Sequence, residues 1–383
     1  MASKLEVVVC GCSQIGKGGR GLGPCGKPLE IRVLLSELYM FLKKRVFLLI
    51  LLSGLGFGFF IVELTGRNDT KLAIEATELF QEGYEKIRND LIFIVRDQNP
   101  KVALAQLAEQ MQMDNALLRS CHPLVHEIGH EAYERYRDFG EAMKYQDEVC
   151  NSGYLHGVIE AHFAGSADIF TAKETICTQY RPGSFFSWEC YHGVGHGFMY
   201  YTANDLPQSL GWCDSYENEF ARSSCINGVF MENFNTDQKF HPSQFLKGND
   251  PFYPCAEQER RHKGDCYVYA PIYFLSLHKD QYVKALEWCE GAESAFRSTC
   301  VAGVGSQALK ENIASPKFVE SVCMAARREQ IAPCINGVVK LYINYHGSLD
   351  PARELCEQLE ISNRETCYHA VQTSERLFAT TPS

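Results

Sequence analysis

The sequence predicts an all-α protein, an α-solenoid of about eight disulfide-stapled helical hairpins behind a single N-terminal transmembrane helix. Three observations predict it. Six cysteine pairs, Cys177/Cys190, Cys213/Cys225, Cys255/Cys266, Cys289/Cys300, Cys323/Cys334 and Cys356/Cys367, recur with ten to twelve residues between their members. The first members of the last four pairs step by 34, 34 and 33 residues, and the second cysteine usually opens a shared phrase, as in Cys190-Tyr-His-Gly-Val and Cys334-Ile-Asn-Gly-Val. Apolar residues around the pairs fall at helical spacing, with few strand signals after residue 70.

Residues 1–39 stand apart from this pattern. They hold Cys10, Cys12 and Cys25 among many glycines, and Met40 opens a more ordinary start, so 1–39 is expected to be a disordered or mis-annotated terminus. GKGGRG lacks the Lys-[Ser/Thr] and the strand-then-helix setting of a phosphate loop. A signal-anchor helix is expected within 40–66. Seventeen apolar or small residues from Val46 to Val62 would span roughly 25 Å. Lys43-Lys44-Arg45 on the N-terminal side leaves the N-terminus cytoplasmic and the body outside. No small-x-small cleavage site follows.

Residues 67–99 form a leading helix and linker, with the sole sequon at Asn68. Residues 100–378 form the extracytoplasmic repeat domain, with hairpins at 100–137, 138–163, 168–201, 204–234, 241–278, 280–310, 315–346 and 348–378. One cysteine is expected late in each first helix and its partner early in the second, so that a bridge closes the turn. Outside the membrane such bridges persist. The first two hairpins carry one cysteine each, Cys121 and Cys150, which predicts a seventh bridge between neighbouring units. Zinc clusters would need CxxC-like spacing, which is absent. The insertion 235–254 interrupts the period and is expected to be a surface loop. Charge is uneven: residues 1–45 hold eight Lys/Arg against three Asp/Glu, and the remainder 29 against 44. An acidic body argues against nucleic acid as a partner.

Over 100–378 the chain resembles tetratricopeptide and Sel1-like helical-hairpin repeats, particularly their disulfide-stapled secreted versions. The tetratricopeptide residue pattern is missing and the cysteine spacing is wider than in Sel1-like units. The resemblance therefore implies an α-solenoid and carries over no site.

Seven of the twelve histidines fall between His122 and His196. His126-Glu127-Ile128-Gly129-His130 places two imidazoles on one helical face with a carboxylate beside them. His192/His196 and His156/Glu160 are two more i,i+4 pairs. Registered on the Gly-Val phrase, His156, His192 and Asn227 share one row, continued by Ala302, Asn336 and His369, and Glu160, His196 and Met231 share the next. The expected metal ligands are His126, His130, His156, Glu160, His192 and His196, enough for two ions. Imidazole with carboxylate suits zinc, iron, copper or manganese. Glu127 and Glu160 are the candidate general bases on metal-bound water, for hydrolysis or oxidation. A zinc-peptidase reading of HEIGH is set aside, because Tyr133 and Tyr136 stand where the longer motif needs glycine and histidine, and residues 70–118 read as helix. His122, before Pro123, is expected to be a helix cap, and His162, His241, His262, His278 and His346 surface residues. The alternative function is a non-catalytic scaffold binding a protein or peptide on the solenoid face.

Overall fold

Short polar side chains cut the body into helices. Asn99, Asp138, Asp168, Ser184, Asp205 and Asn218 each accept a hydrogen bond from a backbone N–H in the first turn that follows. The computed structural model of the protein describes residues 83–236 and 241–379. The helices are α1 (83–97), α2 (Pro100–Met113), α3 (Asn115–Tyr136), α4 (Phe139–Met143), α5 (Val149–Ala164), α6 (Ile169–Thr175), α7 (Phe185–Tyr201), α8 (Leu206–Asp214) and α9 (Glu219–Asn235). They continue with α10 (Arg260–Leu277), α11 (Tyr282–Trp288), α12 (Arg297–Glu311), α13 (Pro316–Met324), α14 (Arg328–His346), α15 (Asp350–Gln358) and α16 (Ile361–Ala379). No strand occurs among the described residues.

Seven of the eight expected hairpins have both helices. The fifth does not: among its described residues, 241–259 holds only a single 3-10 turn at Cys255–Glu257 before α10. Asn204 donates to the His241 carbonyl at 2.7 Å, Ser243 donates to Asn233 at 2.6 Å, and Phe252 stacks on Trp288, so side chains rather than helical bonds hold this insertion down. The predicted span at 46–62, the sequon at Asn68 and the terminus 1–39 lie outside the described residues. Among the described residues no helix is long and apolar enough to cross a membrane.

All fourteen cysteines of the body are paired. Cys177–Cys190, Cys213–Cys225, Cys289–Cys300, Cys323–Cys334 and Cys356–Cys367 each close a hairpin turn, as expected. Their second members, Cys190, Cys225, Cys300, Cys334 and Cys367, all lie in the first half of a long helix, in α7, α9, α12, α14 and α16 respectively. The first members are less regular than expected. Cys213, Cys323 and Cys356 lie late in α8, α13 and α15, but Cys177 and Cys289 fall just past the ends of α6 and α11. Cys255–Cys266 departs further, because it ties the 3-10 turn to α10 instead of joining two α-helices.

The seventh bridge, Cys121–Cys150, joins neighbouring units as expected and closes a separation of 29 residues, a loop for which removal costs about 3–4 kcal/mol. Replacing both cysteines by serine should therefore lower the thermal midpoint by about 6–12 °C, measured by circular dichroism in the absence of metal. An unchanged midpoint would mean that this bridge does not constrain the chain.

The long second helices lie in one row, α3, α5, α7, α9, α10, α12, α14, α16, each packed on the next. Reciprocal glycine pairs set the closeness of three of these crossings. In α3/α5 a Cβ on Gly129 would strike the Tyr154 carbonyl and one on Gly157 the His126 carbonyl. In α7/α9 the same relation joins Gly195 to Cys225 and Gly228 to His192, and in α12/α14 it joins Gly305 to Cys334 and Gly337 to Ala302. These three helix pairs are one structural motif used three times. The row also curls: α12 reaches α3, and α14 reaches α5. Its inner side becomes a cavity of about 380 Å³.

Candidate metal centre

Helices α3, α5, α7 and α9 bring their polar side chains to one buried point, because the glycine crossings leave no room for anything larger between the backbones. His122, His126, His156, His196 and Glu160 are each less than a tenth exposed. Gly153 makes space for the His122 ring and Gly193 for the His156 ring, since a Cβ on either would press on that imidazole.

Two ligand sets overlap there. His122, His126, His156 and His196 offer nitrogens that all lie within 4.8 Å of one another, and His126, Glu160, His196 and Glu232 offer nitrogens and oxygens within the same limit. His126 and His196 belong to both, and they use different ring nitrogens on the two sides. His126 turns Nδ1 to Glu160 Oε1 at 2.9 Å and Nε2 to His122 Nε2 at 3.0 Å. His196 turns Nδ1 to Glu232 Oε2 at 2.8 Å and Nε2 to His192 Nε2 at 3.1 Å. A carboxylate level and an all-imidazole level are thus joined by two rings. At 3.0 and 3.1 Å these imidazole contacts are hydrogen-bond distances, shorter than the roughly 3.4 Å between nitrogens about 2.1 Å from a tetrahedral ion.

Around these groups stand the residues that orient them. His130 Nε2 meets Glu160 Oε2 at 2.5 Å, His122 Nδ1 meets the Cys150 carbonyl at 2.7 Å, and His192 Nδ1 meets Asn227 Oδ1 at 3.0 Å. Asn227 in turn donates to Asp265 at 2.8 Å and accepts from Tyr269 at 2.6 Å. The Cys150 carbonyl is placed by a left-handed turn in which Cys150, Asn151 and Ser152 have φ of 56°, 58° and 53°. Non-glycine residues adopt that conformation at a cost and persist in it where the surroundings impose it.

Burial holds the His122, His156 and His196 imidazoles well below the ordinary histidine value, and it takes His192 down to about 3. Neutral imidazole is the form that ligates a metal. Burial alone would also lower His126, but the adjacent Glu160 outweighs it and the net direction is upward. Burial alone would raise Glu160, yet His126 and His130 outweigh it and bring the carboxyl to about 2. Burial, reinforced by the Glu160 charge, pushes Glu232 up to about 7. His156 is 1 % exposed, and neither of its ring nitrogens has a hydrogen-bond partner. Glu189 approaches its Nε2 only to 3.5 Å, and burial pushes that carboxyl well above the carboxylate range. An unpartnered buried polar group costs about 1–3 kcal/mol, so His156 is an imidazole in want of a ligand.

Of the six expected ligands, His126, His156, Glu160 and His196 converge in these sets, whereas His130 and His192 stand one contact outward. His122 is not a cap. Helix α3 runs through Pro123 without a break, so the imidazole sits mid-helix and joins the centre. Glu232 is an addition to the expected ligands. It lies next to Met231, the position that the register places opposite Glu160, and reaches His196 from there. The two candidate bases differ: Glu160 is engaged by two imidazoles, and Glu127 is paired with Arg88 at 2.5 Å. His262 is buried against Asp214 at 3.2 Å rather than on the surface, and His241 packs its ring on Tyr200 at the rim of the centre. A small pocket lined by Arg88, Glu127, Tyr200 and His241 reaches Glu160 and Glu232 from that side.

No protein-family model matches the chain, and neither a curated protein nor a solved structure matches it. The fold and site define an all-helical, disulfide-bridged protein with a buried His/Glu cluster that can hold a metal ion.

The two levels can be separated experimentally. His122→Ala should weaken an ion in the all-imidazole set by about 10–100-fold and leave one in the carboxylate set, and Glu232→Gln should do the reverse. Titration with cobalt(II), followed by its d–d absorption, reads the two losses. Identical effects from both substitutions would show a single undivided site.

Proposed function

We propose that this protein is a membrane-anchored, extracytoplasmic metal-binding protein whose ion sits among α3, α5, α7 and α9. The observation that carries the reading is His156, fully buried and without a hydrogen-bond partner at the point where three other imidazoles converge. The donor set of imidazoles with two carboxylates suits zinc, iron, copper or manganese. An ion on the carboxylate level would face the small pocket at Tyr200 and His241, where it would supply Lewis-acid chemistry for hydrolysis or redox chemistry for oxidation. Glu232, as a member of that ligand set, would hold the ion, and Glu127, tied to Arg88, stands at the pocket wall.

The repeated glycine crossings and the shared cysteine phrase support a superhelical solenoid. Its curl disfavours the peptide-scaffold alternative: a cavity of about 380 Å³ suits a small molecule rather than an extended chain. The seven bridges favour an oxidising compartment, which agrees with a signal anchor at 46–62 and the body outside.

Elemental analysis of the full-length protein after equilibration with each of the four metals and removal of loose ions tests the metal reading. About one or two equivalents of a preferred metal are expected, and less than about a tenth of an equivalent of every one would refute it.

A further inference from the structure

The third glycine-crossed pair, α12/α14, has the same backbone motif as α3/α5 and α7/α9 but different side chains. On the register set by those crossings, His126 and His192 correspond to Ala302, His130 and His196 to Ser306, and His156 and Asn227 to Asn336. Where α5 has Glu160 and α9 has Met231, α14 has Lys340. The pair has exchanged metal-ligand chemistry for a cation.

Because the row curls, Lys340 faces the central cavity together with Lys310 of α12, across from the wall that His156 and His192 share with the metal centre. Among the described residues neither amine forms an ion pair. The nearest comparison is Lys263, on the outer side of the neighbouring α10, whose amine meets Glu293 at 2.5 Å. Two acids line the same cavity: Asp265 accepts from Asn227 at 2.8 Å and feels the Lys340 charge, and burial pushes the Glu189 carboxyl well above the carboxylate range. Burial lowers the Lys310 amine from its usual value, which fits a cation without a partner. Lys310 is partly buried and Lys340 is exposed, so the cavity presents two amines, one of them open to solvent. The rest of the wall is largely apolar, with Trp188, Tyr269, Ile272 and Leu341.

We infer that the central cavity binds a small amphipathic organic acid, its carboxylate held by Lys310 and Lys340 and its apolar body laid against Trp188 and Tyr269. The volume matches the lower end of small-ligand sites. This site stands independently of the metal reading, although the two share the His156–His192 wall.

Isothermal titration of the full-length protein tests it with 4-phenylbutyrate, 4-phenylbutanol and inorganic phosphate, in metal-free and metal-loaded samples. Phenylbutyrate is expected to bind in both samples at least about tenfold more tightly than the uncharged alcohol or phosphate. The Lys310→Gln/Lys340→Gln variant should lose about tenfold or more of that affinity with its metal stoichiometry unchanged, and Lys310→Arg/Lys340→Arg should retain it. The inference is overturned if the acid and the alcohol bind equally, if phosphate binds as well as the acid, if phenylbutyrate does not bind, or if the glutamine variant binds it normally. Acid binding in protein that takes up no metal would uphold this inference while removing the metal reading.

Discussion

Substitution of His126 and His196 together by alanine is expected to reduce metal content from about one or more equivalents to less than about a tenth. These two rings are the only members common to both ligand sets, each turning one nitrogen to a carboxylate and the other to a second imidazole. Their loss leaves two donors in each set, too few for a closed site. The metal-free variant should also be less stable, because Glu232 loses its ring partner and Glu160 keeps only His130, and breaking buried pairs of this kind costs about 3–5 kcal/mol. Circular dichroism distinguishes that loss from failure to fold. His162→Ala is the control: its ring is half-buried against Tyr133, away from both sets, and it should leave the stoichiometry unchanged. A double variant that still holds a full equivalent would place the ion elsewhere.

The second large effect is expected at Gly337. A Cβ there would fall on the backbone carbonyl of Ala302, and backbone cannot swing aside as a side chain does. Gly337→Ala should cost about 3 kcal/mol or more, at the upper end of overpacking effects, and lower the thermal midpoint by about 6 °C or more. Gly211→Ala, inside α8 with nothing near its would-be Cβ, should instead be neutral or stabilising by up to about 1 kcal/mol. Equal midpoints for the two variants would show that α12 and α14 do not cross at this glycine. Since Gly157 and Gly228 have the same relation to the His126 and His192 carbonyls, the Gly337 result also bears on how the metal helices are held.

Much of this is legible in residue patterns. Period, phrase and paired cysteines specify helical hairpins because each bridge must join two chain segments across a turn, and the odd pair Cys121/Cys150, which the sequence leaves as a bridge between neighbours or two free thiols, is a bridge. The long helices are the better specified half: Cys266, Cys300 and Cys367 each sit inside one, whereas their partners Cys255, Cys289 and Cys356 lie in a 3-10 turn, just past a helix end and late in a helix. A bridge needs only about the same Cα separation at each turn, 5.4 to 5.6 Å in these three, and it does not dictate what the shorter segment is. The fifth hairpin misleads for that reason, because Cys255 keeps the beat where loop has replaced the first helix.

The stripe His122, His126, His130 is equally visible in the sequence, but Pro123 reads locally as a helix break. Packing of α3 against α2 and α5 keeps the helix continuous through it. Glu232 is hidden for a different reason. Register by the Gly-Val phrase predicts which residues share a row, whereas a long side chain one position off the row still reaches the centre. The curl of the row is not legible at all, since contacts between α3 and α12 depend on small rotations accumulated over several units.

The proposed ion lies between His126 and His196. Anomalous diffraction at the absorption edge of the metal found by elemental analysis tests it most directly, on crystals of the protein equilibrated with that metal. A peak within about 2.3 Å of a nitrogen of each of these two histidines is expected. A clear map with the side chains ordered and no peak between them would contradict it.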